Sequence, residues 1–184
     1  KVVGLHCHVG SGIRDASTWS RVAETLTSLE KKFPHLRHVD LGGGLAITEH
    51  PQQSELDVEQ VATMIQAFRS SFEAQLGRKL DFWIEPGRYF VAKSCVLLAN
   101  VTQIKTKDDF HYVGIDAGFN SLIRPTLYNS YHHIVNLSRL EERDSHIKCD
   151  VVGPICETGD VLGHDRLLPS ATSEGDVILI ANTG

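Results

Sequence analysis

Hydrophobic positions in the first ninety residues alternate between short continuous runs and helical spacing. Residues 2–8 form an apolar run that leads into Gly10, Ser11 and Gly12. Trp19, Val22, Leu26 and Leu29 then recur every three or four residues, which predicts an amphipathic helix. Asp15 or Ser17 serves as its N-cap, with Lys31, Lys32 and Pro34 as stop signals. A second run, residues 36–41, ends in Gly42, Gly43 and Gly44, and a polar stretch over 48–54 contains Pro51. A longer helix is predicted from about Asp57 to Leu76, with Val58, Val61, Ile65, Phe68 and Phe72 as its inward stripe and Gly77 as its C-terminal cap. Residues 80–85 form a third run, ending at Pro86 and Gly87. Strand, helix, strand, helix, strand implies parallel strands joined by right-handed crossovers.

Beyond residue 90 the pattern changes. Residues 96–104 and 112–115 are rich in β-branched and aromatic side chains, and 148–152 and 176–180 are shorter runs of the same kind. Turn signals separate them, Lys107-Asp108-Asp109 and Glu174-Gly175-Asp176, and the only helical hint is a turn over 125–131. This half reads as an antiparallel β domain. The fold class is therefore α/β plus all-β, with residues 1–90 in the first domain and 91–184 in the second.

Composition narrows the function. With 41% hydrophobic and 22% charged residues, disordered and fibrous classes are excluded. No apolar run approaches the roughly 20 residues that span a bilayer. The net charge is −5 and no basic stripe appears, so neither nucleic acid nor an anionic membrane is an expected partner. Cys7, Cys95, Cys149 and Cys156 are scattered, which reads as reduced thiols in a cytoplasmic protein. No signal peptide is recognisable, and apolar runs lie hard against both ends, so the sequence is expected to be part of a longer chain.

The polar clusters of the first half all fall at the C-terminal ends of predicted strands, the active-site face of a parallel α/β barrel. His6, Cys7, His8 and Ser11 follow the first strand, the three glycines the second, and Glu85 with Arg88 the third. Three glycines let backbone N–H groups approach an anion, and Ser11 and Arg88 add a hydroxyl and a cationic fork, so phosphate is the expected ligand. The competing reading is a plain strand-to-helix loop. His6 and His8 share one strand face. A zinc site from them with Cys7 and Tyr131-His132-His133 is disfavoured, because Cys7 points the other way and no second pair has structural-zinc spacing; no metal is expected. His6 reads as a satisfied core histidine, and His8 as a ring that stacks on an aromatic ligand. Glu85 needs a partner, either Arg88 or a protonated pyridine nitrogen. In the second half, Cys156 lies in a turn between Gly153-Pro154 and the acids Glu157 and Asp160; Asp116-Ala117-Gly118-Phe119 and Arg124 to Tyr128 make a further polar cluster.

In this order, His6 to Ser11, VDLGGGL at 39–45, EPGRYFV at 85–91, DAGFNSLIRPTLYNSYHHI at 116–134 and GPICETGD at 153–160 resemble the fold-type III pyridoxal-phosphate decarboxylases, most of all their diaminopimelate-specific branch. The resemblance implies the C-terminal part of an alanine-racemase-like (β/α)8 barrel followed by an antiparallel β domain. It implies pyridoxal 5′-phosphate as cofactor, an amino acid as substrate, and decarboxylation of meso-diaminopimelate to L-lysine. His8 would stack on the cofactor ring. Ser11, Gly42, Gly43, Gly44 and Arg88 would hold its phosphate, and Glu85, followed by Pro86 and Gly87, would pair with its ring nitrogen. Cys156 would protonate the substrate carbon. Arg124 and Tyr128, with Arg88, would bind substrate carboxylate, and Glu157 the distal ammonium. The loop carrying the family's counterpart of Cys156 completes a neighbouring subunit's site, so a homodimer is implied.

The family's cofactor-binding lysine has no matching motif here; Lys1, Lys93 and Lys105 are in the wrong places, and Thr158 stands where serine is commoner. The family's phosphate-contacting tyrosine would fall just past Gly184, so this polypeptide alone is expected to be inactive. The competing expectations are an ornithine- or arginine-type decarboxylase, a non-catalytic regulator on the same scaffold, and a zinc hydrolase using His6, His8 and Cys156.

Overall fold

Three short parallel strands and two long helices make up the first of two units in this computed structural model, which describes residues 1–108, 110–142 and 145–184. The first unit comprises Lys1–Thr48 and Gln53–Val91, the second Glu49–Gln52 and Ala92–Gly184.

In the first unit, β1 (Gly4–His6), β2 (His38–Asp40) and β3 (Asp81–Trp83) pair in parallel, with Leu5 beside Val39 and Val39 beside Phe82. These three, with Cys7, face the helices α1 (Ser17–Thr27) and α2 (Val58–Leu76) and join their core. Alternation then puts His6, Asp40 and Trp83, which are paired neighbours, on the opposite face. The predicted runs were longer than the strands, but the ladder continues past them: Cys7 N–H donates to Asp40 O and Glu85 N–H to Gly42 O. A short helix, α3 (Gly87–Val91), follows Pro86.

The helices follow from their sequences. In α2, Asp57 caps the N-terminus by accepting from Gln60 N–H, and Gly77 closes the C-terminus at φ +70°. The first helix ends at Thr27, short of Leu29 and the two lysines, which lie in or beside a separate 3₁₀ turn (Glu30–Lys32). Thr27 and Ser28 hydroxyls bond back to the carbonyls of Ala23 and Thr25, satisfying the final turn from within. Its N-cap is Ala16; Asp15 instead accepts from the Ser17 N–H and hydroxyl one turn edge earlier. Trp19, Leu36, Leu41 and Leu80 are essentially fully buried, each contributing about 1.5–3 kcal/mol of burial free energy.

The second unit is a six-stranded sheet built from β4 (Leu97–Lys107), β5 (Phe110–Ile115), β6 (Ile134–Asn136), β7 (His146–Val152), β8 (Val161–Pro169) and β9 (Val177–Ile180), in the order β6-β9-β4-β5-β7-β8. The edge strands β6 and β8 approach each other, so the sheet curls towards closure. The expectation of a purely antiparallel domain is corrected by β5 and β7, which run parallel. The connection between them contains a short helix, α4 (Arg124–Tyr128), and β6, and is long enough to return the chain in the same direction. Val113, Ile115, Val151, Leu162, Ile178 and Ile180 form a fully buried core. In the predicted turn after β4, Asp108 adopts φ +54°, while Asp109 lies outside the described residues. No helix among the described residues is long and apolar enough to cross a membrane.

Candidate functional site

The first unit gathers its polar groups where its strands end. Gly43 is hemmed in by the third strand: a Cβ there would stand 2.0 Å from the Glu85 carbonyl oxygen. Gly44, at φ +89°, faces the Gly10 carbonyl at 2.1 Å in the same sense. The glycines are thus required by close backbone approach between strand ends. The N–H groups of Gly42 and Gly43 donate to Asp40 Oδ1 (2.9 Å) and His8 Nδ1 (3.1 Å). In this conformation these two glycines shape the loop and hold neighbouring side chains, which differs from the expectation that their N–H groups hold an anion. The buried Trp19 indole donates to Gly43 O at 3.2 Å, tying the loop to the helical core.

Arg88, in the first turn of α3, donates from Nη2 to Ser11 Oγ at 2.8 Å. A hydroxyl and a guanidinium from two strand ends are thereby brought together. His8 accepts from the Gly43 N–H at Nδ1, which places the neutral ring's proton on Nε2 and fixes the ring's orientation. His6, read as a core histidine, is instead exposed, and its Nε2 lies 3.2 Å from Glu85 Oε2. The alternation that turns Leu5 and Cys7 towards the helices turns His6 to the other face of the sheet. His6, Asp40 and Glu85 carry donor atoms within 4.8 Å of one another, a set of metal-ligand types that sequence spacing did not reveal because it spans three strands.

These residues fit pyridoxal phosphate. The Ser11–Arg88 pair is the donor set a phosphate needs, the Glu85 carboxylate is the acceptor a protonated ring nitrogen needs, and His8 presents an oriented aromatic ring.

The second unit carries a separate cluster. Cys156 and Glu157 are exposed on the loop before β8. Asp160, 3% exposed, holds that loop: its carboxylate accepts from Ile155 N–H (2.8 Å) and Phe119 N–H (2.6 Å). Gly118 and Gly153 leave room for it, since a Cβ at either would meet its oxygens. Glu157 Oε1 accepts from the Thr158 hydroxyl at 3.0 Å. On α4, Arg124 lies 5.7 Å from the centre of the Tyr128 ring, donates to Ser130 Oγ at 2.9 Å and stands 3.8 Å from Glu49 Oε1. Between the two, Thr126 donates to Gly159 O at 2.7 Å and fastens the helix to the Cys156 loop. Sequence reasoning singled out Cys156, Glu157, Arg124 and Tyr128, and named Asp160 and Thr126 only as members of those polar clusters, not as clamps.

His132 is buried, with Nδ1 donating to Ala181 O at 2.8 Å and Nε2 without a partner. Burial lowers its pKa, opposed by that carbonyl and reinforced by Arg124. Burial, reinforced by Asp150 and opposed by Arg166, pushes the Cys149 thiol up to about 11.

Comparison with known proteins places the chain. It is 40% identical to the diaminopimelate decarboxylase of Methanothermobacter thermautotrophicus over 99% of its length and 43% of that protein, and 33% identical to that of Aquifex aeolicus over its whole length and 43% of the relative. A crystal structure of diaminopimelate decarboxylase superposes with TM-score 0.88 at 35% identity, covering 99% of this chain and 45% of that one. The enzyme from M. jannaschii, solved also in complex with L-lysine, superposes with TM-score 0.86 at 32% identity, covering 99% and 42%. The chain thus spans less than half the length of these relatives. Residues 12–184 match the family described as "Pyridoxal-dependent decarboxylase, C-terminal sheet domain", and the chain belongs to that family of pyridoxal-dependent decarboxylases.

Proposed function

We propose that the protein containing this chain decarboxylates meso-2,6-diaminopimelate to L-lysine and CO₂ with pyridoxal phosphate, and that this chain supplies the phosphate, ring-nitrogen and proton-donor residues. The observation that carries the reading is the grouping of His8 and Ser11 after β1 with Glu85 and Arg88 after β3, on either side of the glycine turn that follows β2. On this reading the first unit is the closing part of an eight-stranded barrel, whose remaining strands belong to the length that the relatives have and this chain lacks.

When bound, the cofactor supplies an electron sink for the carbanion left as CO₂ departs. Glu85 would accept a hydrogen bond from the protonated ring nitrogen and so hold that proton on the ring, which keeps the ring electron-poor. Arg88 and Ser11 would hold the phosphate, and His8 would lie against the ring. The C–COO⁻ bond breaks, and the Cys156 Sγ–H proton takes the place of CO₂ on the substrate carbon. Arg124 and Tyr128 bind the distal carboxylate, and Glu157 the distal ammonium. Ornithine and arginine lack a distal carboxylate and would offer Arg124 and Tyr128 no such group to bind. The four free cysteines accord with a cytoplasmic, reducing location, and the Cys156 loop is assigned to the active site of a second subunit in a homodimer.

The full-length protein should release lysine and CO₂ from meso-diaminopimelate and leave ornithine and arginine untouched. Consumption of ornithine or arginine in preference to diaminopimelate would overturn the substrate, and no decarboxylation of any of them with cofactor bound would overturn the activity.

A further inference from the structure

We propose that His6 is a positioning residue that holds Glu85 for the cofactor's ring nitrogen, an inference that rests on the role assigned to Glu85 above. His6 closes β1, and strand alternation turns it away from the helices, onto the face it shares with Asp40. Its Nε2 meets Glu85 Oε2 at 3.2 Å. An ionised carboxylate only accepts, so Nε2 carries the proton and donates. The Glu85 backbone is already fixed by the Gly42 carbonyl and the close approach of Gly43. The side chain has rotamer freedom that the His6 hydrogen bond removes.

Two further features fit this role. A carboxylate has two oxygens; His6 meets Oε2, so Oε1 would be the one to meet a ring nitrogen. The Asp40 carboxylate lies within the same 4.8 Å cluster and is itself tied to the glycine turn through Gly42 N–H. Two acids this close repel one another, and an imidazole N–H directed at one of them offsets that repulsion. His6 therefore connects the acid that meets the ring nitrogen to the turn beside the phosphate residues. Such supporting partners orient the groups that touch a ligand, as outer-shell residues do around metal sites.

The test uses the full-length protein stripped of cofactor and titrated with pyridoxal phosphate, reading its dissociation constant and the absorbance spectrum of the bound form. H6F should weaken binding about tenfold, the loss expected for one charge-assisted hydrogen bond, and should shift the spectrum. H6Q, whose amide N–H reaches to about the place of Nε2, should stay within about threefold, whereas H6N, which is too short, should behave like H6F. In an E85Q background H6F should cause no additional loss, because His6 acts through Glu85. Additive losses, or an H6F affinity equal to wild type while E85Q is weakened, would overturn the positioning role alone. If E85Q itself binds as tightly as wild type, with an unchanged spectrum, the assignment of Glu85 falls and this inference falls with it. H6N and H6Q are both polar and differ by one methylene, so their contrast decides the matter even where H6F folds poorly.

Discussion

Gly43 and Gly77 show how differently two glycines can be used. Gly77 closes a helix at φ +70° with nothing near its absent Cβ, so G77A should cost only about 1 kcal/mol. A methyl at Gly43 would collide with the Glu85 backbone, and neither strand end has a flexible side chain to move aside. G43A should therefore destabilise the protein by several times as much as G77A, roughly 3 kcal/mol or more, and weaken cofactor binding as Glu85 shifts; denaturant melts of both variants compare the two. The triple glycine was legible as a motif, but its reason was not, because the atom it avoids lies on a strand forty residues away. Asp160 makes the same point. Its two backbone donors belong to residues 119 and 155, so no local pattern announces the clamp. In D160N an amide N–H₂ replaces one acceptor oxygen and faces donors. We expect a loss of about 2 kcal/mol and faster alkylation of Cys156, measured by mass spectrometry of iodoacetamide-treated protein. In the same assay on wild type at pH 8, Cys149 should stay unlabelled until unfolding, because its thiol is buried and pushed up to about 11.

Among the elements, the two long helices were readable because each buries one stripe against a sheet, and periodicity records that directly. Strands β6 and β8 were not. The first has three residues, and the second is interrupted by Gly163 and by Asp165 at φ +56°, where the register with β7 shifts, so its apolar positions never alternate cleanly. The parallel pairing of β5 with β7 was equally hidden, since it depends on where a long connection returns. Strand β9, by contrast, was visible and is central, pairing with both β4 and β6. Ile178, 0% exposed, should cost about 2–5 kcal/mol as I178A. The sheet domain also titrates. Burial tends to raise the Asp176 pKa, but the Asn136 amide, the Ser173 N–H and Arg139 outweigh it and hold the carboxyl below its usual value. The unfolded chain then binds the proton more readily, so this stabilisation is present above about pH 4 and is lost as pH falls through the folded-state value. His132, lowered chiefly by burial, acts in the same direction at higher pH: its contribution is complete above about 6.5 and declines as acid protonates the unfolded chain first. Denaturation midpoints from pH 8 to 3 should fall in two windows, with H132N flattening the upper and D176N the lower.

At the scale of the whole molecule, the residues assigned to chemistry fall in two compact units, Ser11, His8, Glu85 and Arg88 in one and Cys156, Glu157, Arg124 and Tyr128 in the other. The hydrophobic pattern changes near residue 90, close to where the two compact units divide, but periodicity carries no information about which copy of the second unit serves which first unit. The second unit exposes Cys156 on its loop, with Leu127 61% and Tyr128 65% exposed on the helix that Thr126 fastens to it. If Cys156 serves the partner's site, inactive full-length variants should rescue one another. In a mixed dimer of C156A with E85A, the site built on the intact Glu85 receives its thiol from the E85A subunit and is complete, while the other site carries both defects. Random reassortment makes half the dimers mixed, each with one working site of two, so activity should return to about a quarter of wild type. Each variant alone stays inactive, which excludes contamination as the source. If Cys156 serves the site of its own subunit, every site in the mixture keeps one defect and no activity returns, and the shared-site dimer must be abandoned even where the decarboxylase assignment stands.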